Sequence, residues 1–512
     1  MKLRPIRRLL LVFPPERAMH GFFRADVPPL GAACLAAAIR DDCEVAVLDA
    51  KHEGYNLVRR DGPFDVYGLD ADAVRARIAA FRPDALGVTC LASCNWPDVR
   101  AVTTAAKKVD PDIITIAGGT HPSFLAERCL TEAPEIDFII RGEGETALRA
   151  LIAESRGGAD PAAVPSLVFR AGDSIYRNPT APLINDLEIL PFPARDLLDM
   201  EGYFKNRAPF SRIFREERNT SIQTSRGCPA HCSFCSSARF WGHGFRPQSP
   251  ERALAEMEHL IERYGVRELQ FVDDNLIYDR DRSVKIFKGM IDRELNLKWC
   301  MPNGVALWRL DVELLRLMRR AGCYSLTLAF ESGNQRVLSR IVKKPLNLGK
   351  VGPLIEEMKR LEFDLHAFFI SGFPGETISE MEDTFRLARS LDLDGAYFFI
   401  ATPLPGTELC EQGMAAGHLR PDLDFTRIEY NKGHFNTPEW TAEQVERLTG
   451  SFYLRFMLSA LGRHPVRFFK NYGRVIMTRP WYAAEHLLVF ARRGIERALG
   501  GRPGTQSRPG SE

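Results

Sequence analysis

No run of about 18 apolar residues, the length a membrane-spanning helix needs, occurs in the 512-residue chain, so no such helix is expected. The opening stretch Arg7-Arg8-Leu9-Leu10-Leu11-Val12-Phe13-Pro14-Pro15 has an apolar run of five residues ended by prolines. That is too short for a signal peptide and reads as a first buried strand. A disulfide framework is also missing. The eleven cysteines are odd in number and mostly set singly in apolar segments, which suits a reducing compartment, and the cytoplasm is the expected location. Charge of one sign is scarce, since 68 Lys and Arg against 66 Asp and Glu leave +2. With no recognised binding module either, nucleic acid is not an expected partner. No G-x-G-x-x-G follows the first apolar run and no G-x4-G-K-S/T occurs, so neither a dinucleotide nor an ordinary nucleoside triphosphate is expected. A 45% hydrophobic, 26% charged composition excludes global disorder and a collagenous class, and the length suits about three domains.

What the chain does have is a cysteine loop. Cys228, Cys232 and Cys235 stand in Thr224-Ser225-Arg226-Gly227-Cys228-Pro229-Ala230-His231-Cys232-Ser233-Phe234-Cys235, after a short stretch that reads as a strand. Three thiolates on one loop can bind three corners of a cubane 4Fe-4S cluster, leaving one iron open to a small molecule that offers an amine and a carboxylate. A structural zinc site with His231 or His243 as fourth ligand is the other reading, but such sites usually pair two C-x2-C knuckles, or one with two histidines. The C-x3-C-x2-C spacing, with Phe234 before the last cysteine, resembles the signature of radical S-adenosylmethionine (SAM) enzymes. The resemblance implies that Cys228, Cys232 and Cys235 are metal ligands and that Phe234 lies against SAM.

Through residues 1 to 155 apolar runs alternate with helical patterns. Leu9–Phe13, Glu44–Leu48, Ala85–Cys90, Ile113–Ala117 and Ile136–Ile140 read as buried strands; Leu30–Arg40, Asp70–Phe81, Pro97–Val109, Ser123–Leu130 and Glu145–Glu154 read as helices. Strict alternation predicts an α/β domain, flavodoxin-like or Rossmann-like, whose ligand crevice lies outside the carboxyl ends of its parallel strands. The loops there hold Pro14-Pro15, Asp49-Ala50, Leu91-Ala92-Ser93, Gly118-Gly119-Thr120-His121 and Arg141-Gly142-Glu143-Gly144-Glu145. Glycine pairs let backbone approach a bulky ligand. The Pro28-Pro29-Leu30-Gly31 turn, the Gly-Gly-x-His string and the Gly-Glu-Gly-Glu string, ahead of the cysteine loop, resemble the cobalamin-binding domain of cobalamin-dependent radical SAM enzymes. That resemblance implies cobalamin contacts at Pro15, Asp49, Leu91, Ser93, Gly118, Gly119, His121, Gly142, Glu143 and Gly144. The D-x-H-x-x-G pattern that supplies a cobalt histidine in other cobalamin proteins is missing after the first strand. Asp49-Ala50-Lys51-His52-Glu53-Gly54 has its letters at the wrong spacing, so no histidine ligand is expected from this pattern. His121 and His20 lie in loops, where histidine is more often a hydrogen-bonding residue.

Residues 156 to 210, rich in Gly, Pro and Asp, read as a linker with a small strand pair around Ser166–Arg177. From Thr220 the alternation resumes, with strands at Thr220–Thr224, Glu268–Val272, Lys298–Met301, Ser325–Ala329, Asp364–Ile370 and Gly395–Ile400. Six strand and helix units over 211 to 415 predict a partial (β/α)6 barrel with its chemistry at the carboxyl ends of the strands. Loops after those strands carry Asp273-Asp274-Asn275, Glu331-Ser332, Gly372-Phe373-Pro374-Gly375-Glu376-Thr377 and Pro403-Leu404-Pro405-Gly406-Thr407. The family resemblance implies SAM contacts at Asp273, Asp274, Asn275, Glu331, Ser332, Gly372 and Pro405. Glu331 suits ribose hydroxyls, since a carboxylate accepts from two neighbouring OH groups.

Residues 416 to 500 turn helical, with Thr441 capping a helix from Ala442, and residues 501 to 512 read as a disordered tail. Between 451 and 512, eleven Lys or Arg stand against Glu485, Glu496 and Glu512, interleaved with Phe452, Tyr453, Phe456, Phe468, Phe469, Tyr472, Trp481, Tyr482 and Phe490. Two readings follow: a helix lying peripherally on an anionic membrane, or a packed cap with a solvated basic face.

The order of these parts resembles the cobalamin-dependent radical SAM methyltransferases. This implies an enzyme in which a reduced cluster splits SAM to a deoxyadenosyl radical, the radical takes hydrogen from an unactivated carbon, and that carbon receives a methyl group from methylcobalamin. A second SAM restores the cobalt methyl, and an electron donor of the flavodoxin or ferredoxin type is implied. The expected substrate is a small molecule or, if the basic tail meets membranes, a polycyclic lipid such as a hopanoid. Two rivals stay open: an anaerobic oxidase or cyclase of the porphyrin-cyclase type without methyl transfer, and a cobalamin or redox sensor whose cluster controls a partner. The barrel with its many strand-end polar groups is more than a sensor requires.

Overall fold

A computed structural model of the chain describes residues 4–19, 24–157, 160–211, 213–466 and 469. The expectations for His20, for Phe468, Tyr472, Trp481, Tyr482 and Phe490, and for the tail from 501 lie outside the described residues.

The apolar runs of the first part condense into a seven-stranded sheet. Its order is Ser174–Arg177, Leu167–Ala171, Phe138–Ile140, Ile114–Gly118, Ala85–Thr89, Arg8–Phe13, Glu44–Asp49. The last five are parallel, and the other two join one edge through antiparallel pairings. The strand pair expected within the linker therefore extends this sheet. Helices Leu30–Ile39 and Gly144–Gly157 cover one face, packing with Leu9, Leu11 and Ile116, while Ala71–Phe81 and Trp96–Val109 cover the other with Leu10, Val12 and Leu86. Burial on both faces is why these strands read as continuous apolar runs instead of alternating ones. Strand order reverses between Arg8–Phe13 and Ala85–Thr89, and a crevice opens at such a switch point. The short antiparallel sheet of Glu16–Met19, Phe64–Tyr67 and Val58–Asp61 carries no expectation from sequence. The outer strand is Val58-Arg59-Arg60-Asp61, exposed throughout, and has no apolar pattern to announce it.

The second sheet has six parallel strands in sequence order: Asn219–Ile222, Glu268–Phe271, Lys298–Val305, Cys323–Glu331, Asp364–Ser371 and Gly395–Ile400. Sequential order with a helix after each strand makes an open barrel. Its first helix, Pro250–Tyr264, begins where Ser249 Oγ accepts from Arg252 N at 3.1 Å and ends at Gly265, whose φ of +63° is favoured by a residue without a Cβ.

The connector is tied to both halves. Ala194 N donates to Ala33 O at 3.0 Å, and buried Arg195 pairs with Glu256 at 2.8 Å and donates to Ser221 O at 3.1 Å. Past the barrel, Thr441 and Gln444 form a capping box at the start of helix Ala442–Arg463. Phe452 and Phe456 point inward from that helix. Phe452 stacks on Phe385 at 5.1 Å and Phe456 meets Phe398 at 6.1 Å. These two rings thus cover the last barrel strand and offer no surface to a membrane, while Phe469 is exposed. Among the described residues no helix is long and apolar enough to cross a membrane.

Candidate functional site

The cysteine loop follows the first barrel strand and is held at several points. Gly227 has φ of +86°, and a Cβ there would meet Gly244 O at 2.4 Å, so only glycine fits between strand and loop. Ser233 N and Oγ donate to Val342 O and Ile341 O at 2.9 and 2.8 Å, using carbonyls left free at the end of the π-helical segment Val337–Val342. Leu409 N returns a bond to Ser233 O at 2.9 Å. The three consecutive residues after the second strand grip the loop at successive points. Asp273 Oδ1 accepts from Thr224 N, Thr224 Oγ1 and Ser225 Oγ at 3.0, 2.9 and 2.5 Å. Asp274 Oδ2 accepts from Gly227 N at 3.2 Å, and Asn275 Nδ2 donates to Cys228 Sγ at 3.6 Å. Asp273 and Asn275, expected at SAM, are thus engaged with the loop and 2% exposed. Burial raises both aspartates above the ordinary carboxylate value, against the pull of these donors.

The thiols are half-buried. Burial pushes Cys232 up to about 12 and Cys235 to about 11, with the Lys344 cation pulling the other way on Cys232. Lys344 is itself buried, held charged against desolvation by Glu331 at 2.8 Å and lying 5.0 Å over the Trp308 ring. Glu331, expected at the ribose, is therefore engaged by an ammonium 13 residues on, and its φ of +66° is a strained value for a residue with a side chain. Ser332 is fully buried, its Oγ 3.2 Å from Thr384 Oγ1. Gly372 lacks a Cβ because Val445 of the C-terminal helix stands 2.6 Å from where one would be. Pro405 is buried beside Gly406, against which Phe124 of the first sheet's layer packs. Phe234 packs at 6.0 Å from Phe373.

Three thiols on one loop suit an iron-sulfur cluster, which can take one thiolate at each of three corners. Among the described residues no three His, Cys, Asp or Glu side chains close round a single ion. A tetrahedral zinc ion needs its ligands within about 2.3 Å of one point, whereas a cubane takes one per corner. His231 and His243, the alternative zinc ligands, stack on each other at 4.5 Å.

Facing the loop is a cavity of about 690 Å³ at the switch point of the first sheet. It is lined by Phe13, Thr89, Leu91, Gly118, Gly119 and the turn Gly142-Glu143-Gly144-Glu145 from one half, and by Arg226, Cys235, Trp241, Asp274 and Asn303 from the other. A Cβ at Gly31 or Gly142, both lining residues, would meet nothing within 4 Å, so their bareness leaves room for a ligand, whereas at Gly119 a Cβ would strike Cys90 O at 2.7 Å. A large, mostly apolar cradle of this kind fits a corrin. Pro15, Asp49, Ser93 and His121 are not among its lining residues. Pro15 packs on Gly68, and Asp49 accepts from Tyr203 OH at 2.7 Å and His52 N at 2.9 Å. His121 Nδ1 lies 2.8 Å from Ser93 Oγ, with burial lowering its pKa to about 4. Glu143 lines the cavity, but its carboxylate is bonded to Arg226 and Arg246.

Within the barrel, Tyr397, Phe368 and Phe399 form an aromatic wall that sequence reasoning missed. Phe368 lies 5.5 Å from Tyr397 and 5.8 Å from Phe399, and none of the three belongs to a hydrophobic core cluster. Strand alternation sends Phe369 and Phe398 out to the helices, so these rings face the lumen. Phe368 comes within 3.9 Å of where a side chain at Gly304 would begin, next to the cavity-lining Asn303. The parity of the two strands was the available signal.

Two family models match the chain: the B12 binding domain over residues 18–152 and the Radical SAM superfamily over 222–388. The chain is 34% identical over 466 residues to cytidylyl-2-hydroxyethylphosphonate methyltransferase of Streptomyces wedmorensis, a match spanning 84% of this chain and 87% of that protein. It is 29% identical to the anaerobic magnesium-protoporphyrin IX monomethyl ester cyclase of Rubrivivax gelatinosus, over 84% of this chain and 74% of the cyclase. Its fold is similar to that of TsrM, a radical SAM methyltransferase of Kitasatospora setae solved with cobalamin and a 4Fe-4S cluster, with a TM-score of 0.70 at 16% identity over 93% of this chain and 99% of that one.

Proposed function

The chain belongs to the cobalamin-binding radical SAM methyltransferase family, and on that footing we propose that it transfers a methyl group to an unactivated carbon of a substrate carrying a planar ring. Its cofactors are a 4Fe-4S cluster, SAM and cobalamin. When bound, these supply a hydrogen-abstracting deoxyadenosyl radical and a transferable methyl group.

The observation that carries this reading is the large cavity lined from both halves, with Cys235 and Asp274 on one wall and Gly118, Gly142 and Gly31 on the other. Cys228, Cys232 and Cys235 would hold three irons of the cluster. Asp273, Asp274 and Asn275 fix the loop that carries them, and Asn275 donates to one ligand sulfur. Lys344, balanced by Glu331, sets a buried positive charge near the same sulfurs. Gly31 and Gly142 would floor the corrin by leaving room for it, with Gly118 and Gly144 lining the same cavity. Electrons would come from a one-electron donor of the flavodoxin or ferredoxin class.

The substrate class rests on the Tyr397, Phe368 and Phe399 wall, which suits stacking by a planar base. The Streptomyces relative is named for a cytidylyl substrate, which supports a nucleotide-linked small molecule here. A hopanoid has less support, since Phe452 and Phe456 face the barrel. The test is anaerobic incubation with methyl-labelled SAM, dithionite, and either cytidylyl-2-hydroxyethylphosphonate or a lipid extract. Label in the nucleotide-linked product, with deoxyadenosine and S-adenosylhomocysteine both formed, is expected. Deoxyadenosine without S-adenosylhomocysteine would favour the cyclase type of reaction, and label only in lipid would overturn the substrate class.

A further inference from the structure

Arg226 and the turn Gly142-Glu143-Gly144-Glu145 belong to different halves of the molecule and are bonded at two points. Arg226 Nη1 donates to Glu143 Oε1 at 2.7 Å, and Nη2 donates to Glu145 Oε1 at 2.5 Å. Arg246, the antiparallel partner of Arg226 in a two-residue ladder, donates from Nη1 to both oxygens of Glu143 at 2.9 and 3.1 Å. Arg246 also donates to Ile184 O, and Ile184 N donates back to Glu143 Oε2 at 2.9 Å. The Arg226 guanidinium lies 5.2 Å from the centre of the Trp241 ring. All four charged residues are buried, and two cations face two anions, so the quartet is neutral.

A buried quartet of this kind contributes little net stability compared with apolar residues of the same volume, and its best attested use is to fix register. What it registers here is specific. Arg226 directly precedes Gly227 and Cys228, and the turn it grips carries Gly142 and Gly144 on the cavity floor. The cluster loop and the corrin floor therefore cannot shift independently. Nothing in the composition or the motif spacing signals this pairing, which spans more than 80 residues of sequence.

We infer that Arg226 is a positioning residue that couples the two cofactor sites. Ordering of the cysteine loop by its cluster orders the turn at Glu143 and Glu145, so corrin binds more tightly once the cluster is present, and by linkage the cluster is held more firmly once corrin is bound. The inference rests on the cofactor assignments above.

The experiment measures hydroxocobalamin affinity of the full chain under anaerobic conditions, once with the cluster reconstituted and once after removal of iron by a chelator. The cluster is expected to tighten binding at least about fivefold, the lower end of ordinary allosteric coupling. The double variant R226Q/E145Q removes one charge of each sign, leaving Glu143 with Arg246, and is expected to bring that ratio close to one while iron content and circular dichroism stay as in the parent. R226K, which keeps the charge and loses the fork, is expected to give an intermediate ratio. A ratio of one in the parent, or an unchanged ratio in the double variant, overturns the coupling. Failure of hydroxocobalamin to bind under either condition overturns the cofactor assignment itself, a result separate from independent binding of both.

Discussion

At the strand ends of the barrel the polar side chains are bonded to the chain itself: Asp273, Asp274 and Asn275 hold the cysteine loop, Glu331 holds Lys344, and Glu376 Oε2 accepts from Gly372 N and Phe373 N at 2.8 and 3.1 Å. At the strand ends of the first sheet the cavity is walled mainly by glycines and apolar groups, and its Glu143 is bonded to Arg226 and Arg246. One half places donor atoms, and the other leaves a shaped space. A cluster is held by directional bonds to sulfur, so its site needs particular side chains. A corrin is held over a wide area, so its site needs the absence of side chains at particular points.

Single substitutions should separate the two kinds of site. The largest effect is expected for Cys232→Ala: bound iron after anaerobic reconstitution falls to a small fraction of the parent's and deoxyadenosine formation is lost, while hydroxocobalamin still binds, with its affinity lowered by the loss of the cluster. Iron and sulfide analysis beside a corrin titration checks this. Next, Gly31→Leu fills the cradle from a helical position without strain and should weaken hydroxocobalamin binding at least about tenfold, or 1.4 kcal/mol, with iron content unchanged. Gly31→Ala should bind like the parent.

A smaller effect is expected at Glu376, whose carboxyl is raised to about 8, chiefly by burial. With its folded pKa above its ordinary value of 4.5, the group favours the folded state fully below about pH 4.5, and that contribution is lost as pH rises towards 8. Thermal unfolding of Glu376→Gln should therefore fall less steeply than the parent between pH 5 and 8; identical slopes would count against a buried neutral carboxyl. The smallest effect is expected for His121→Ala. Corrin affinity should stay within about twofold of the parent, with a stability loss of about 1 kcal/mol in urea titration, because the imidazole faces Ser93 and Trp96. A tenfold loss of affinity would place His121 at the corrin after all.

The same contrast explains what the sequence made legible. The parallel strands of the first sheet announced themselves as apolar runs because helices cover both faces of that sheet, and helix ends such as Ser249, Gly265 and Thr441 carry local capping chemistry. The cysteine loop was legible for the same reason, since ligand identity and spacing are local. At the cavity, the glycines of the Gly118-Gly119 and Gly142 to Gly144 strings line the space, but Pro15, Asp49, Ser93 and His121, singled out by position after strands, turn to other partners. Long-range pairings decide where such side chains point. Glu331 with Lys344, Glu143 with Arg226 and Asp49 with Tyr203 span 13, 83 and 154 residues, and no local pattern specifies them. The inward turn of Phe452 and Phe456 was hidden likewise, because basic and aromatic interleaving looks alike on a membrane and on a packed cap.

The function proposed for the barrel half requires three sulfurs that leave one iron corner open. Electron paramagnetic resonance of the anaerobically reduced protein, recorded with and without SAM, tests this most directly. The account predicts the signal of a reduced 4Fe-4S cluster whose g-values shift when SAM is added, and loss of that signal in the Cys228, Cys232 and Cys235 alanine variants. A spectrum indifferent to SAM, or zinc bound where iron should be, would contradict it.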